Sequence, residues 1–578
     1  MATSTIDAES ILAIEIGSTL TRAALFDVVE GVYHFIASGS ATSTVDAPFR
    51  DAGECVHLAI EDLQMLTGRR LLDEDSRIIL PSKSDGSGVD RMAMTISAGP
   101  TLRVINAGLL DDVSLQSGKN LVATAKAKVV DSFGLSDVRA TDEKIDAIIE
   151  AEPDLIVLTG GTQDGANRSV LKMVELTIMA CRILPENSRP EVIFAGNRVL
   201  AKRVKEVLSK WFSVHAAPNV RPSIDLEDIS PAEAVLTNVV TRIRRNQIGG
   251  LKDLGKASTS ALTPAPQAFG RVVRFLSEIY NPNKGVLGVD VGASSTIVSA
   301  AVAGGLSNKV YHLGLGDSIK NILETFEPAE ILQWVPLPVS DEELISYLWQ
   351  KSISPASLPI DEPSMAIEQA VTRMILRNAM QEISAKRQET WEDEVSFEPI
   401  LAGGAVLTNA PTPAQAMLML LDGLQPVGIS TIILDQNTLT ASLGTIAAFN
   451  PILPVQVLES GAFLNLGTVI CPVTKARFGT PVMNIRLEHE NGLKETFSIK
   501  QGTVTALPLR LGETATIELD ALRGTDIDPN GKRATKFKIV GGVCGAVIDA
   551  RGRPIQLPKE AGRRRELLKR WQKSLENH

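Results

Sequence analysis

One pattern of residues occurs twice in this chain of 578 residues, first at 11–39 and again at 286–316. Each copy has an apolar run, an acidic residue, a glycine, a cluster of small hydroxyl residues, a second apolar run, a glycine-containing turn and a third apolar run. Short apolar runs separated by such turns are typical of β-hairpins. The repeat therefore predicts two related units that each begin with hairpins.

Two further segments repeat downstream of the hairpins. Residues 153–175 and 399–421 each combine an apolar run, a pair of glycines and a stretch with the 3.6-residue period of a helix. This order predicts a buried strand, a loop and a helix in both segments. Together with the hairpins it predicts an α/β protein with a first lobe at 1–250 and a related second lobe at 285–452.

The segments outside the lobes differ from them in composition. Residues 248–270 are rich in Gly, Ser, Thr, Ala and Pro, which indicates a loop or hinge, so we expect a linker and connecting helix at 251–284. Residues 453–558 hold short alternating runs between turn residues, which predicts a C-terminal all-β domain of sandwich or barrel type. Residues 559–578 predict a basic terminal helix.

The distribution of charge limits the partners of the chain. The formal net charge is −10 and the isoelectric point is near 5.4, which argues against bulk nucleic-acid binding because neutralising phosphates needs a basic face. Residues 550–578 are an exception, with nine Lys or Arg against three Glu. This end is either a solvated helix face, or a docking site for an acidic partner or an RNA contact.

Cysteines and apolar segments indicate the compartment. The four cysteines are far apart and form no CxxC pair, so we expect a reducing environment without structural zinc. The first ten residues lack the apolar core of a secretory signal. The most apolar window, 286–305, contains an aspartate and four glycines, and fits a core strand better than a membrane span. We therefore expect a cytoplasmic protein with no membrane contact.

The first repeated turn carries residues suited to holding a phosphate. Gly17 permits a tight reversal and close approach of the backbone to a ligand. Ser18 and Thr19 supply hydroxyl and N–H groups that can line an anion-binding concavity. Glu15 would hold a metal ion directly or through water, as Mg²⁺ prefers.

The second repeated turn has the same arrangement in Asp290, Gly292, Ser294 and Ser295. A single turn of this kind is weak evidence, because many hairpins carry Gly-Ser turns for structural reasons alone. Two such turns at corresponding positions of two related lobes predict a phosphate clamp, with Asp290 as the second metal-binding residue. The alternative is that both are ordinary hairpin turns.

Paired glycines follow the buried strands of the second repeated pattern. Gly160, Gly161 and Thr162 follow one strand, and Gly403 and Gly404 follow the other. Such a pair lets a ligand lie against the backbone near a helix N-terminus, although it is also a common structural turn. The position of Gly403 and Gly404 after the second phosphate turn fits a turn that contacts adenosine.

These motifs resemble those of the superfamily of sugar kinases, Hsp70 and actin. The run from Glu15 to Asp27 resembles its first phosphate motif, and the run from Asp290 to Ser295 resembles its second. The run from Leu401 to Val406 is similar to its adenosine motif. The resemblance implies two ribonuclease-H-like lobes of the actin-like ATPase type, closing on ATP and Mg²⁺.

A closer resemblance is to the glutamate mutase accessory family, also called the MutL-type family, which is unrelated to the mismatch-repair protein of that name. Members are thought to assist adenosylcobalamin-dependent carbon-skeleton mutases as ATP-dependent reactivating chaperones. The resemblance implies a nucleotide-binding accessory protein with such a mutase as partner, and leaves homo-oligomers open. No histidine lies in the D-x-H-x-x-G pattern of cobalamin binding. The resemblance is carried by the segments IEIGSTLTR, LTGGTQDGAN, VIFAGN, GVDVGASSTIV, LAGGAVLTNAP and LQPVGISTIILD.

Two departures from the family pattern bear on ATP hydrolysis. The family usually has Asp at the position of Glu15 and a carboxylate at the position of Ile297. A carboxylate near the terminal phosphate binds metal or orients water, and Ile does neither. The longer Glu side chain would also displace a bound metal by about one carbon–carbon bond, which matters where geometry is tight. We expect a slow ATPase at most, and no catalytic residue is identified.

Two other functions compete with the accessory role. A small-molecule kinase of the same superfamily needs a carboxylate base facing the acceptor hydroxyl. Asp111, Asp112 and Asp164 are candidates for that base, but no local motif selects one. The second competitor is a non-catalytic actin-like scaffold or filament subunit with a decayed nucleotide site, which the isoleucine favours and the retained glycine turns oppose.

Overall fold

The computed structural model describes residues 9–163, 165, 167–281, 283–390, 396–528 and 533–576. Asp164, one of the candidate kinase bases, lies outside these residues. Within the described part of the chain, every helix falls short of the length and hydrophobicity that a membrane span requires.

The first repeat forms a meander that continues into a parallel strand. β1 (Ile11–Ile16), β2 (Leu20–Val29) and β3 (Val32–Thr42) pair antiparallel, which confirms the predicted hairpins. Helix α1 (Gly53–Thr67) packs its apolar face on β2 and β3, and β4 (Arg91–Ile96) then runs parallel to β1. The side chains of β1 are almost all buried, because helices and loops cover both faces of the sheet.

The chain then leaves this sheet and builds a separate parallel sheet, which we call the inserted sheet. Its strands are β5 (Leu102–Ala107), β6 (Ala127–Phe133), β7 (Leu155–Leu158), β8 (Glu191–Phe194) and β9 (Val214–Ala216). The spatial order is β6-β5-β7-β8-β9 with every pair parallel, and apolar side chains cover both faces. The helices between and after these strands are α2 Gln116–Val122, α3 Thr141–Ala151, α4 Asn167–Ile183, α5 Arg198–Leu208 and α6 Ser230–Gln247.

After α6 the chain returns to the first sheet. α7 (Leu251–Ala257) is followed by β10 (Thr263–Pro264), which pairs parallel with β4. The first sheet therefore has the order β3-β2-β1-β4-β10. α8 (Ala265–Ile279) then leads to the second repeat. Much of the segment predicted as a linker and connecting helix is thus regular structure, and even Gly255 and Gly270 lie within helices α7 and α8.

The second repeat forms a sheet with the same strand order. β11 (Gly285–Val291), β12 (Thr296–Val302) and β13 (Gly305–Tyr311) form the antiparallel meander, and β14 (Phe397–Gly403) and β15 (Gly428–Leu434) follow in parallel. The helices of this half are α9 Ile319–Thr325, α10 Pro328–Leu332, α11 Asp341–Ile353, α12 Glu362–Thr390, α13 Ala405–Thr408, α14 Pro413–Leu424, α15 Thr440–Ile446 and α16 Ile452–Glu459.

The counterpart of β14 in the first sheet is β4, not β7. β4 pairs parallel with β1, as β14 does with β11. β7 belongs to the inserted sheet, so the strand, loop and helix predicted at 153–175 are present but lie in a different part of the fold. The sequence could not show which sheet β7 belongs to. A buried parallel strand followed by a glycine loop and a helix has the same sequence pattern in the first sheet and in the inserted sheet.

The C-terminal region is rich in strands but is not separated at residue 453. Its elements are β16 Leu464–Cys471, β17 Val473–Thr474, β18 Pro481–His489, β19 Lys494–Lys500, β20 Val504–Leu507, β21 Thr514–Ala521, β22 Thr525–Asp526, β23 Ala534–Val540, β24 Ala546–Asp549 and α17 Ala561–Glu576. β16 pairs with β15, and the second sheet continues through β24 and β20 to eight strands. A separate four-stranded sheet has the order β19-β18-β21-β23.

A shared apolar core holds the first and second sheets together. Ile11 and Phe26 of the first sheet belong to one buried cluster with Val286 and Leu401 of the second. Helices α8 and α15 pack closely on each other within this cluster and supply further members, such as Leu443. The two sheets therefore meet side by side, and the ends of β1 and β11 that carry the repeated turns are brought to the same region.

Candidate functional site

The two repeated turns have the same backbone structure. The Gly17 N–H donates to the Leu20 carbonyl at 3.0 Å, and the Gly292 N–H donates to the Ser295 carbonyl at 3.0 Å. A Cβ atom at Gly17 would lie 2.5 Å from the first of these carbonyl oxygens, and a Cβ at Gly292 would lie 2.8 Å from the second. Any side chain would collide with the backbone, so the turn itself requires glycine at both positions.

These turns face each other across a cleft of about 180 Å³. Ser18 Oγ donates to Ser294 Oγ at 3.2 Å, which joins the tips of the two turns directly. Gly403 pairs with Asp290 between neighbouring strands, at the base of the cleft. Nine residues of the predicted site line the cleft: Glu15, Gly17, Ser18, Thr19, Asp290, Gly292, Ser294, Ser295 and Gly404.

Three carboxylates lie near one another at this end of the sheets, and two of them, Glu15 and Asp290, line the cleft. Glu15 and Asp290 are near the ends of β1 and β11, and Asp435 follows β15 and accepts hydrogen bonds from the Thr440 hydroxyl and N–H at 2.6 and 2.8 Å. Desolvation raises the pKa of Glu15 to about 7. Arg22 opposes this rise in the pKa, and the negative charges of Asp290 and Asp435 add to it. Desolvation and Asp435 likewise raise the pKa of Asp290 to about 6. The site thus holds more negative charge than its arginine balances.

The residues present fit a magnesium ion that is bound together with phosphate. Glu15 Oε2 and Thr19 Oγ1 are buried and have no hydrogen-bond partner among the described residues. In the same part of the chain, no group of three or more His, Cys, Asp or Glu is arranged to hold a metal ion by itself. Mg²⁺ usually takes one or two carboxylates and completes its shell with water and phosphate oxygens, so this donor set suits a Mg²⁺–nucleotide complex.

The cleft lining also contains a buried ion pair that sequence analysis missed. Lys351 of α11 lies with its Nζ 2.9 Å from Glu368 Oε1 of α12, and both side chains line the cleft. Tyr347 donates its hydroxyl to the same carboxylate oxygen at 2.7 Å. These residues lie on two helices between β13 and β14, and no local motif marks them.

Ile297 and Arg22 occupy equivalent positions in the two sheets. Arg22 pairs with Glu15 between β1 and β2, and Ile297 pairs with Asp290 between β11 and β12. Both side chains line the cleft, and Ile297 is only 4% exposed because it also packs in the apolar core between the sheets. The cleft therefore has a cationic wall on one side and an apolar wall on the other.

Several residues nominated from the sequence lie away from the cleft. Gly160, Gly161 and Thr162 follow β7 in the inserted sheet, where the Gly161 carbonyl accepts a hydrogen bond from an asparagine side chain at 2.9 Å. Asp111 and Asp112 open a π-helical turn, Asp111–Leu115, which follows β5 in the same sheet. None of these five residues lines the cleft.

Two sheets that share the order of five strands, with matching glycine turns facing one cleft, define the class of this protein as α/β with two related sheets. The family model described as MutL protein matches residues 11–461. The chain belongs to this family, and the prediction of a MutL-type protein is confirmed. None of the curated protein sequences matches the chain.

Solved structures with partial similarity to the chain include two kinases and a utilization protein. Gluconate kinase from Lactobacillus acidophilus is 10% identical, with 78% of this chain and 92% of that chain covered and a TM-score of 0.32. The ethanolamine utilization protein EutJ from Carboxydothermus hydrogenoformans is 9% identical, with 76% and 90% covered and a TM-score of 0.28. Glycerol kinase from Plasmodium falciparum, solved with ADP, is 7% identical, with 78% and 92% covered and a TM-score of 0.31.

Proposed function

We propose that the chain is a nucleotide-binding accessory protein in which two ribonuclease-H-like lobes close on Mg-ATP. The observation that supports this most directly is the pair of matching glycine turns, joined by Ser18 and Ser294 at 3.2 Å. Backbone N–H groups and hydroxyls of these turns would bind the phosphates, and Glu15 and Asp290 would hold Mg²⁺ through water. The Gly403–Gly404 turn would contact the adenosine.

We propose further that the protein reactivates an adenosylcobalamin-dependent carbon-skeleton mutase in the cytoplasm. Membership of the MutL family supports this role. A nucleotide can drive such a cycle only if it binds one arrangement of the lobes more tightly than another. A cleft that both sheets line is suited to this, because its ligand touches both lobes at once.

Hydrolysis of bound ATP is expected to be slow. The position opposite Asp290 is an isoleucine that packs in the core, where it can neither bind metal nor orient water. A scaffold with a decayed nucleotide site remains a second candidate on the strength of this residue. A kinase has less support, because Asp111 and Asp112 belong to the inserted sheet rather than to the cleft lining.

Thermal unfolding with and without Mg-ATP tests the nucleotide site. We expect Mg-ATP to raise the melting temperature of the wild type, and Ser18→Asp to abolish this rise by placing a carboxylate where the phosphates bind. Ser188→Asp changes an exposed serine in the turn before β8 and should keep the full response. Equal melting of the wild type with and without Mg-ATP would remove the switch and leave the scaffold.

Recovery of mutase activity tests the accessory role. The assay uses an adenosylcobalamin-dependent mutase whose cofactor has been replaced by an inactive form. Addition of this protein, fresh cofactor and ATP should restore the activity of the mutase. The Ser18→Asp variant should give no recovery, and Ser188→Asp should act like the wild type. Recovery that is equally fast without ATP would contradict a nucleotide-driven cycle.

A further inference from the structure

A lysine of the inserted sheet reaches the tip of the second phosphate turn. Lys126 immediately precedes β6, and its Nζ donates to Ser294 Oγ at 2.8 Å and to the Ser97 carbonyl at 3.3 Å. Ser97 follows β4 of the first sheet, and Ser294 also bonds to Ser18. One ammonium group therefore connects the inserted sheet, the first sheet and the turn of the second sheet.

A second cation lies behind this lysine. Arg244 of α6 is only 2% exposed, and its Nη2 has no hydrogen-bond partner among the described residues. Its Nη1 donates to Gln247 Oε1 at 2.8 Å. Gly99 makes room for the guanidinium, because a Cβ atom there would lie 2.8 Å from Nη1 and the glycine has a φ of +93°.

Lys126 and Arg244 share a small cavity next to the cleft. Its volume is about 20 Å³, which is room for one oxygen-sized atom. Ser97, Ser295 and Ile297 line both the cavity and the cleft, so the two spaces are separated by single side chains.

Neither cation is neutralised by contact. Among the described residues, the acids that act on these groups do so through space: Asp317 and Asp46 on Lys126, and Asp154 and Asp46 on Arg244. Desolvation lowers the pKa of Lys126 to about 8, and the nearby Arg244 lowers it further, while the more distant Asp317 and Asp46 oppose these effects. A half-buried ammonium beside a buried guanidinium with an unpartnered N–H favours an anion as the missing ligand.

We infer that Lys126 and Arg244 form an anion site for the terminal phosphate of the nucleotide, through which the inserted sheet distinguishes ATP from ADP. The inference rests on the proposed nucleotide function. Lys126 contacts the hydroxyl of Ser294, which lines the cleft. Arg244 lines the same small cavity as Lys126 and supplies the second positive charge. ADP lacks the group that would approach them, so its binding does not depend on the two cations.

The loop that carries Lys126 also joins the inserted sheet to the second lobe. The Ala123 carbonyl accepts from the Val310 N–H at 2.8 Å, and the Ala127 carbonyl lies 2.9 Å from His312 Nε2. A phosphate bound by Lys126 would therefore affect the contact between the inserted sheet and the second lobe. This gives the inserted sheet a means of responding to the nucleotide.

Calorimetric binding of Mg-ADP and of a non-hydrolysable Mg-ATP analogue tests the inference. We expect the wild type to bind the ATP analogue about tenfold more tightly than ADP, because charge-assisted hydrogen bonds to phosphate are strong. Lys126→Met and Arg244→Gln should reduce this preference to about twofold or less and leave ADP affinity unchanged. Lys128→Gln in β6 and Arg242→Gln in α6 change exposed cations two residues from Lys126 and Arg244, and should keep the preference.

The outcomes separate the two proposals. A wild type that binds both nucleotides equally, or variants that keep the preference, would overturn the anion site while leaving nucleotide binding intact. A wild type that binds neither nucleotide would overturn the nucleotide function and this inference together. If Arg244→Gln fails to fold, Lys126→Met decides the question, because that side chain is only partly buried.

Discussion

Glu15 and Asp290 are held at the base of the cleft under conditions that disfavour their charge. Shielding from water and mutual repulsion raise the pKa of both groups, and the pKa of Asp435 is also raised by burial. Such carboxylates gain most from a bound cation, because it offsets both effects. Their position therefore weighs against an ordinary pair of hairpin turns, which would need no buried acid at either strand end.

The raised pKa of Glu15 predicts that stability depends on pH. The pKa rises from 4.5 to about 7 on folding, so the folded protein binds more protons than the unfolded chain between these values. The free energy of unfolding should therefore fall as pH rises from about 4.5 to 7, by about 2 to 3 kcal/mol from this group. Urea unfolding of the metal-free protein at pH 5 and pH 8 measures this change.

Glu15→Gln isolates the contribution of this carboxyl group. The variant should be more stable than the wild type at pH 8 and should lose that advantage at pH 5, where the wild-type group is protonated. Glu74→Gln, at an exposed position, should show no such difference. A stability difference between Glu15→Gln and the wild type that is the same at both pH values would show that Glu15 is not shielded as described.

At the level of single elements, local patterns were more predictable than long-range pairing. The hairpins at both repeats are confirmed, because a hairpin is specified by neighbouring residues and its turn. The inserted sheet was missed, since nothing local distinguishes its parallel strands from those of a lobe. The continuation of the second sheet through β16 was missed for the same reason. The sequence of a strand does not indicate which distant strand it pairs with.

The site shows the same division between local and distant information. The glycine turns could be predicted because each is a compact motif whose geometry excludes other residues. Asp435, Lys351, Glu368 and Lys126 could not, because each reaches the cleft region from a separate element of ordinary composition. Arg22 lies within the first phosphate motif. The pairing of β1 with β2 places it opposite Glu15, and this register could have identified Arg22 as a residue of the site.

A buried charge network attaches the C-terminal segment to the second lobe. Arg551 donates to Asp549 at 2.8 Å from two of its nitrogens and to Asp422 of α14 at 2.5 Å. Its guanidinium lies 4.6 Å from the ring centre of Trp571 on α17. Arg373 of α12 contacts the same Asp422 at 2.7 Å, so four elements depend on one cluster.

Arg551→Met should destabilise this connection. The variant leaves two buried carboxylates with fewer partners, and breaking a buried ion pair in this way costs about 3 to 5 kcal/mol. Urea unfolding should show the loss, and Arg563→Met at an exposed position of α17 should change stability by less than about 0.5 kcal/mol. Equal stability of the two variants would mean that the C-terminal segment is held by its apolar contacts alone.

At the scale of the whole molecule, three parts of the fold meet at the tip of the second glycine turn, beside the cleft. The first sheet contributes one glycine turn, the second sheet contributes the other, and the inserted sheet contributes Lys126. The apolar core between the sheets includes α8 and α15, so the two sheets are packed together rather than joined by a linker alone. A ligand at the turns is thus placed to couple all three parts.

Cysteines at the tips of the two turns should trap their juxtaposition. Ser18 Oγ and Ser294 Oγ are 3.2 Å apart, so sulfur atoms in their place would be close enough to bond after a small adjustment. We expect the double variant Ser18→Cys, Ser294→Cys to form an internal disulfide under mild oxidation. The mass of the intact protein, which falls by the two hydrogens that the thiols lose, measures the reaction. Mg-ATP should slow the reaction, because phosphates would occupy the space between the turns.

The controls for this reaction follow from the same geometry. Each single variant reports any reaction with the native cysteines, of which Cys55, Cys471 and Cys544 are buried. Ser307→Cys in place of Ser294→Cys puts the second thiol on β13, away from the cleft lining, and should give no disulfide with residue 18. If the double variant at the turns stays reduced while its thiols remain reactive, the turns do not face each other in solution, and a phosphate clamp built from both lobes is wrong.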